Sequence, residues 1–171
     1  MMHIPGMLRR WLLKRVERVM TRRAPDFTIG GTGDPYLQRW WLLPRNRVLN
    51  VYLHRFLRSD DDRALHDHPW RNVSVLLAGG YLEEVPVDPS HPAGATVMHA
   101  RMAGQVTSRG ARAAHRVELM ADRQGERQPA ITVFLTGPRV RDWGFWCAWG
   151  WRPWREFVDA RDAGAIGRGC E

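Results

Sequence analysis

The sequence predicts an all-β chain of short antiparallel strands, closed into a sandwich or barrel, with one short helix ahead of it. Three observations carry this expectation. Apolar runs of strand length recur from Tyr36 onwards, roughly nine of them, with turn residues about every 8–12 positions. The 16 Gly and 11 Pro fall in short punctuating groups, which suits many strands better than a helical bundle. Only one segment, at the N-terminus, keeps a helical period over several turns. A chain of 171 residues is enough for one domain with a real core and short for two.

The helix is expected over residues 7–23. Leu8, Trp11, Leu12, Val16, Val19 and Met20 recur at three- and four-residue steps, and Arg9, Arg10, Lys14, Arg15, Arg18, Arg22 and Arg23 fill the other face. Such a helix either lies on an anionic membrane or packs its apolar stripe on the barrel or on a second subunit. We expect packing, because peripheral anchors are the rarer use of the pattern. Pro25 and the segment from Gly30 to Pro35 then break the chain. The glycines lack a Lys-Ser/Thr ending and a leading strand, so they read as a connector and not as a phosphate loop.

Strands follow over 36–43, 47–58, 73–78, 81–85, 96–102, 105–109, 114–120, 130–136 and 139–146. Gly79-Gly80 makes a hairpin turn, and Pro153 opens a short helix over 154–160. Ser59-Asp60-Asp61-Asp62 reads as a solvated acidic turn, since no further oxygen ligands follow at calcium-loop spacing. The expected organisation is a helix and connector over 1–35, a barrel with its short helix over 36–160, and a flexible Gly-rich tail over 161–171.

The net charge of +8 comes almost wholly from arginine, Lys14 being the one lysine. The arginines are dispersed and accompany no nucleic-acid motif, so no nucleic-acid partner is expected. A second copy of the chain, docked through the helix, is the protein partner allowed for. Cys147 and Cys170 make no disulfide framework, and Cys147 is expected to be a buried, inert thiol. No 18-residue apolar span and no secretory signal occur, so no transmembrane segment is expected and a cytoplasmic location is the simplest.

The chemistry concentrates in His66-Asp67-His68, just before the buried run Val73–Ala78. Side chains at i and i+2 of an extended strand point the same way, roughly 7 Å apart at the backbone, which lets two imidazoles converge on one ion. Asp67 points to the opposite face. A third donor must come from elsewhere, and His115 is the best placed, sharing a strand face with Val117 and Leu119.

These residues resemble the two motifs of the cupins, small double-stranded β-helix (jelly-roll) barrels with an internal metal site. The first motif runs Gly, five residues, His-x-His, three or four residues, Glu, six residues, Gly. His66, His68 and Gly79 match it, Asn72 stands at the Glu position and Asp60 at the leading Gly. The second runs Gly, five residues, Pro-x-Gly, two residues, His, three residues, Asn. Gly104 and His115 fall in register, while Gly110, Arg112 and Leu119 replace the Pro, Gly and Asn.

The resemblance implies a divalent metal held by His66, His68 and His115, with Asn72 as a weak oxygen ligand or a hydrogen-bonding neighbour. Without the carboxylate the set looks like the thiol dioxygenase branch, in which Fe(II) is bound by three His; nickel, manganese and zinc are the alternatives. Glu83 and Glu84 are further candidates but read more simply as exposed charges on the return strand. Arg139 and Arg141 share a face if 139–146 is a strand, and either suits a substrate carboxylate or a structural pair with Asp142 or Asp159 and a Trp. Tyr52 is the third residue assigned to the catalytic set, with Tyr52 and Tyr81 the candidate partners for a Cys147 thioether of the kind some thiol dioxygenases carry. The tryptophans from Trp143 to Trp154 are expected to pack the terminal segment across the barrel before forming any cage. The reading is a mononuclear iron oxygenase acting on a small polar or carboxylated molecule. A metal-dependent isomerase or hydrolase, or a non-enzymatic ligand-binding cupin, are the alternatives.

Overall fold

The computed structural model describes residues 2–30, 33–60, 64–161 and 167–171. Met1, Gly31, Thr32 and residues 61–63 and 162–166 lie outside the described residues, so Asp61 and Asp62 of the expected acidic turn and part of the connector and tail are not placed. Ser59 and Asp60 of that turn are buried and not solvated, Asp60 accepting the Val117 amide at 2.7 Å and Ser59 Oγ the Leu119 amide at 2.9 Å. The chain runs β1 (Met2–His3), α1 (Gly6–Arg22), β2 (Phe27–Ile29), β3 (Leu37–Trp41), β4 (Asn50–Phe56), β5 (Leu65–His66), β6 (Asn72–Ala78) and β7 (Gly80–Pro86). It continues β8 (Thr96–Met102), β9 (Gln105–Arg109), β10 (Arg116–Leu119), β11 (Ala130–Thr136), β12 (Gly144–Cys147), β13 (Gly150–Pro153) and α2 (Trp154–Phe157).

The all-β expectation with an N-terminal helix holds. Among the described residues every strand pairing is antiparallel. A large sheet has the order β1-β9-β6-β11-β4-β3-β2, and two three-stranded sheets have the orders β10-β7-β8 and β13-β12-β5. The alternation along β11 explains how one sheet serves two cores. Ala130, Thr132, Phe134 and Thr136 are buried, and the intervening Ile131 and Val133 pack on the helix side. The inner core joins Leu76, Tyr81, Val117, Leu119 and Ala130.

Helix α1 covers the outer face. Leu12, Leu13, Val16, Val19 and Met20 pack on Trp40, Leu53 and Leu77, as expected of a helix docked at home. The stripe is rotated from the expected one, however. Leu13 belongs to it, while Leu8 and Trp11 stay exposed.

Gly79 makes the β6–β7 hairpin at φ 73°, where a Cβ would also lie 2.4 Å from the Pro129 carbonyl oxygen. The stretch Arg139–Asp142 is not a strand. Pro138 lacks an N–H, and the neighbouring Gly137 and Val140 amides bond the Arg71 and Pro69 carbonyls at 2.9 and 2.8 Å. β12 therefore starts only at Gly144. β1, β2 and β13 are short and were not read from the pattern.

The C-terminus departs most from expectation. Cys147 is joined to Cys170 by a disulfide across 23 residues, with Cα atoms 5.5 Å apart. It is neither a free thiol nor available for a thioether with Tyr52 or Tyr81. The described end of the tail is tied down. The Gly167 and Gly169 amides donate to the Phe157 carbonyl, and Arg152 donates to the Gly169 and Glu171 carbonyls at 2.6 and 2.7 Å. The β12–β13 hairpin and α2 bring the chain back on itself, which residue spacing alone does not show. Cys170→Ser is expected to cost about 3 kcal/mol through the released loop. Thermal melts of variant and wild type without reductant check this, and equal midpoints would contradict it.

Candidate metal centre

His66 is the last residue of β5 and is gripped on both sides. It pairs with Phe145 of β12, and it exchanges two backbone hydrogen bonds, each 2.9 Å, with His115. Two of the three histidines are thus positioned by backbone as well as by side chain. Asp67, fully buried, locks the segment from behind. It accepts the Gly144 amide at 2.9 Å and the Trp151 indole N–H at 3.0 Å, and pairs with Arg141 at 2.6 Å. Gly144 is required there, since a Cβ would lie 2.0 Å from the Arg152 carbonyl oxygen.

The ring nitrogens of His66, His68 and His115 lie within 4.8 Å of one another. His68 Nε2 and His115 Nε2 are 2.9 Å apart, close to the roughly 3 Å that separates two ligands at right angles on an ion with bonds of about 2.1 Å. One carboxylate orients an outer nitrogen, and a second stands beyond hydrogen-bond reach of another. His115 Nδ1 lies 3.1 Å from Glu83 Oε1, and His66 Nδ1 lies 3.8 Å from Asp60 Oδ2. Carboxylates behind imidazoles fix ring orientation and aim the second nitrogen inward, as metal-binding histidines require. Withdrawal from water, with the charges of His115, His66 and Arg109 nearby, pushes His68 well below the usual histidine range. Burial and Arg109 lower His115 to about 4 against the opposing pull of Glu83. At neutral pH both rings are therefore uncharged and keep a lone pair. This donor set fits a divalent cation.

Glu83 was the residue most clearly misread. It is 1% exposed, and it joins Arg101 at 2.6 Å and Arg109 through Nε at 2.6 Å and through Nη2. Burial opposes its ionisation, but His115, Arg109 and Arg101 together hold the carboxyl well below the usual range. Glu84, one residue on, pairs with Arg116 and Thr96 nearer the surface.

The histidines open into a cavity of about 370 Å³. Its walls are largely aromatic, including Phe56, Phe134, Trp143, Phe145 and Trp154. Trp143 stacks on Trp154 at 5.7 Å, so part of the tryptophan cluster is cavity wall. The polar lining includes Arg39, His54, Asp60, Ser74 and Arg109.

Arg39 is the residue the sequence reading passed over. Its Nε donates to His54 Nε2 at 2.8 Å, and its guanidinium lies over the Tyr52 ring at 5.0 Å. Among the described residues it has no carboxylate partner. Burial lowers its pKa, and burial with the Arg39 charge pushes His54 well below the histidine range. The available signal was parity: Arg39 and His54 face each other across β3 and β4, on the same strand face as Phe56.

The other candidates are placed elsewhere. Arg139 is exposed and pairs with Asp142 at 2.8 Å. Arg141 pairs with Asp67 and lies over the Trp151 ring at 5.3 Å. Neither lines the cavity, so of the two uses weighed for them the structural one describes their contacts. Tyr52 is buried beneath Arg39, stacked on His54, and does not line the cavity. Asn72 is buried at the start of β6 outside the cavity lining, and among the described residues neither amide atom has a hydrogen-bond partner.

No protein-family model and no curated protein matches the chain. Several solved structures are similar to it. An uncharacterised conserved protein with a double-stranded β-helix domain from Klebsiella pneumoniae is 13% identical at a TM-score of 0.47, over 69% of this chain and 90% of that one. An RmlC-like cupin from Ralstonia eutropha is 13% identical at 0.46, over 81% and 69% of the two chains. An RmlC-like cupin from Shewanella frigidimarina is 17% identical at 0.45, over 69% and 95%. These three structures are cupin or double-stranded β-helix proteins, and the chain itself brings three histidines together on one side of a cavity.

Proposed function

We propose that the chain is a metal-dependent cupin, a mononuclear iron oxygenase whose substrate is a small carboxylate with an apolar or aromatic body. The observation that supports the metal is the convergence of three imidazoles, one of them oriented by a buried carboxylate. His66, His68 and His115 hold the ion. When bound, Fe(II) supplies a Lewis-acidic, redox-active centre with open positions for substrate and dioxygen.

The chain's own residues select the substrate. Arg109 is neutralised by Glu83, whereas Arg39 lines the cavity with no carboxylate partner among the described residues. Three imidazoles add no negative charge to a divalent ion. With a divalent ion bound, the ion and Arg39 outweigh the Asp60 carboxylate at the polar end of the cavity, which is aromatic elsewhere, complementary to an anionic head on an apolar body. Arg39 orients the head, His54 holds Arg39, and the aromatic walls exclude water.

Oxygen uptake by iron-reconstituted protein tests this with a panel of small carboxylates, thiol-bearing ones included. Uptake that needs both iron and one of these acids is the expected result. Arg39→Met is expected to raise KM roughly 10- to 100-fold, the loss of a charged hydrogen bond of about 1.5–3 kcal/mol. Its effect on stability is expected to be small, because removing a desolvated cation offsets the hydrogen bond lost to His54 Nε2. Absence of uptake with every acid, while iron stays bound, would turn the reading towards the isomerase, hydrolase or non-enzymatic alternatives.

A further inference from the structure

We infer that the outward face of α1 is a docking surface for an anionic phospholipid bilayer. The helix carries Arg9, Arg10, Lys14, Arg15, Arg18 and Arg22 against the single acid Glu17. Arg9 is committed inward, donating to the Leu77 carbonyl at 2.8 Å. Among the described residues no carboxylate pairs with Arg10, Lys14, Arg15, Arg18 or Arg22. Met7, Trp11, Lys14, Arg18 and Arg22 follow at three- and four-residue steps and form one line opposite the Leu12–Leu13–Val16 stripe packed on the sheet.

That line is apolar at its start. Met7 is 78% and Trp11 54% exposed, with Leu8 beside them, on a helix whose other apolar side chains are already packed on the sheet. These three are the residues that the docking of α1 leaves over.

The helix is also built against its own stability. Pro5 supplies no side-chain cap, the first turn has no acid, and Arg9 and Arg10 sit at the positive end of the dipole. Capping and first-turn acids are ordinary stabilising devices, so their replacement by cations points to a use for the charge. Cations alone would suit nucleic acid equally. Exposed Met, Leu and Trp at one end favour lipid, where they enter the headgroup and acyl boundary while the basic residues meet anionic headgroups. α1 lies on the outer face of the large sheet and the cavity on its inner face, so docking leaves the histidines uncovered.

Co-sedimentation of the full chain with vesicles tests this, using phosphatidylcholine alone and phosphatidylcholine with about 30% phosphatidylglycerol. Binding only to the anionic vesicles, weakened by salt, is expected. The triple change Lys14→Gln, Arg18→Gln and Arg22→Gln is expected to weaken it roughly hundredfold, about fivefold per charge. Trp11→Ser weakens it without changing the salt dependence. All four side chains are exposed, so circular dichroism and metal content stay at wild-type values. Equal binding to both vesicle types, binding to neither, or wild-type binding by both variants would overturn the inference. So would a short DNA duplex that strips the protein from anionic vesicles.

Discussion

His68→Ala is expected to remove the metal while leaving the barrel folded. Tag-free wild type should hold about one equivalent of a divalent ion after reconstitution, and the variant almost none, because two remaining imidazoles do not make a stable site. His68 is the cleanest choice. Its ring faces the cavity, and among the described residues its side chain touches the other site rings and Phe134 and makes no ion pair. Stability provides a second readout. Metal at a hundredfold excess over its Kd stabilises the wild type by about 2.7 kcal/mol through mass action, and the variant gains none. Elemental analysis with paired melts measures both effects. Full metal content in the variant would place the ion elsewhere.

The largest stability effect is expected at Glu83. Glu83→Gln leaves Arg101 and Arg109 without their shared carboxylate, and breaking a buried pair in this way costs about 3–5 kcal/mol. It also frees His115 Nδ1, so metal affinity should fall roughly 10- to 100-fold. Adding Arg109→Met is expected to recover part of the stability and none of the metal affinity, which separates the two roles. Urea unfolding of the metal-free proteins and metal titration read them out. A Glu83→Gln protein as stable as wild type would show that the cluster is not the keystone the geometry makes it.

Acidification adds a directional check. The folded Glu83 carboxyl titrates below its ordinary value of 4.5, so its stabilisation is present above that value and lost as pH falls below it. His115 is lowered from 6.5 to about 4, so the folded state also resists its protonation, and stability falls as pH drops through that interval. Both slopes run the same way. Glu83→Gln should remove the carboxylate's own share below about 4.5 and, by releasing the pull that raises His115, extend the histidine's share to lower pH.

Much of the fold was written locally. The 3.6-residue pattern marked α1, the glycine pair marked the β6–β7 hairpin, and the boundaries of β8, β9 and β11 match the expected strands. His66 and His68 were legible because an i, i+2 spacing depends only on the extended backbone. His115 was reached through strand parity and the need for a third donor. Glu83 was not legible, because its sequence neighbours look like a solvated charge pair. Only the packing of β7 between β8 and β10, with Arg101 and Arg109 closing over it, buries the carboxylate.

What the amino-acid order determined by itself is the set of elements and the histidine pair, since both follow from local periodicity. What tertiary structure decided is which charges meet. Arg39 rather than Arg139 or Arg141 faces the cavity, because β3 is a regular strand whose parity points inward, while the segment after Pro138 is irregular and spends Arg141 on Asp67. Cys147 and Cys170 meet because a hairpin and a short helix fold the tail back. Partner choice among many arginines and carboxylates is a long-range matter, settled by sheet order and burial, and no local spacing encodes it.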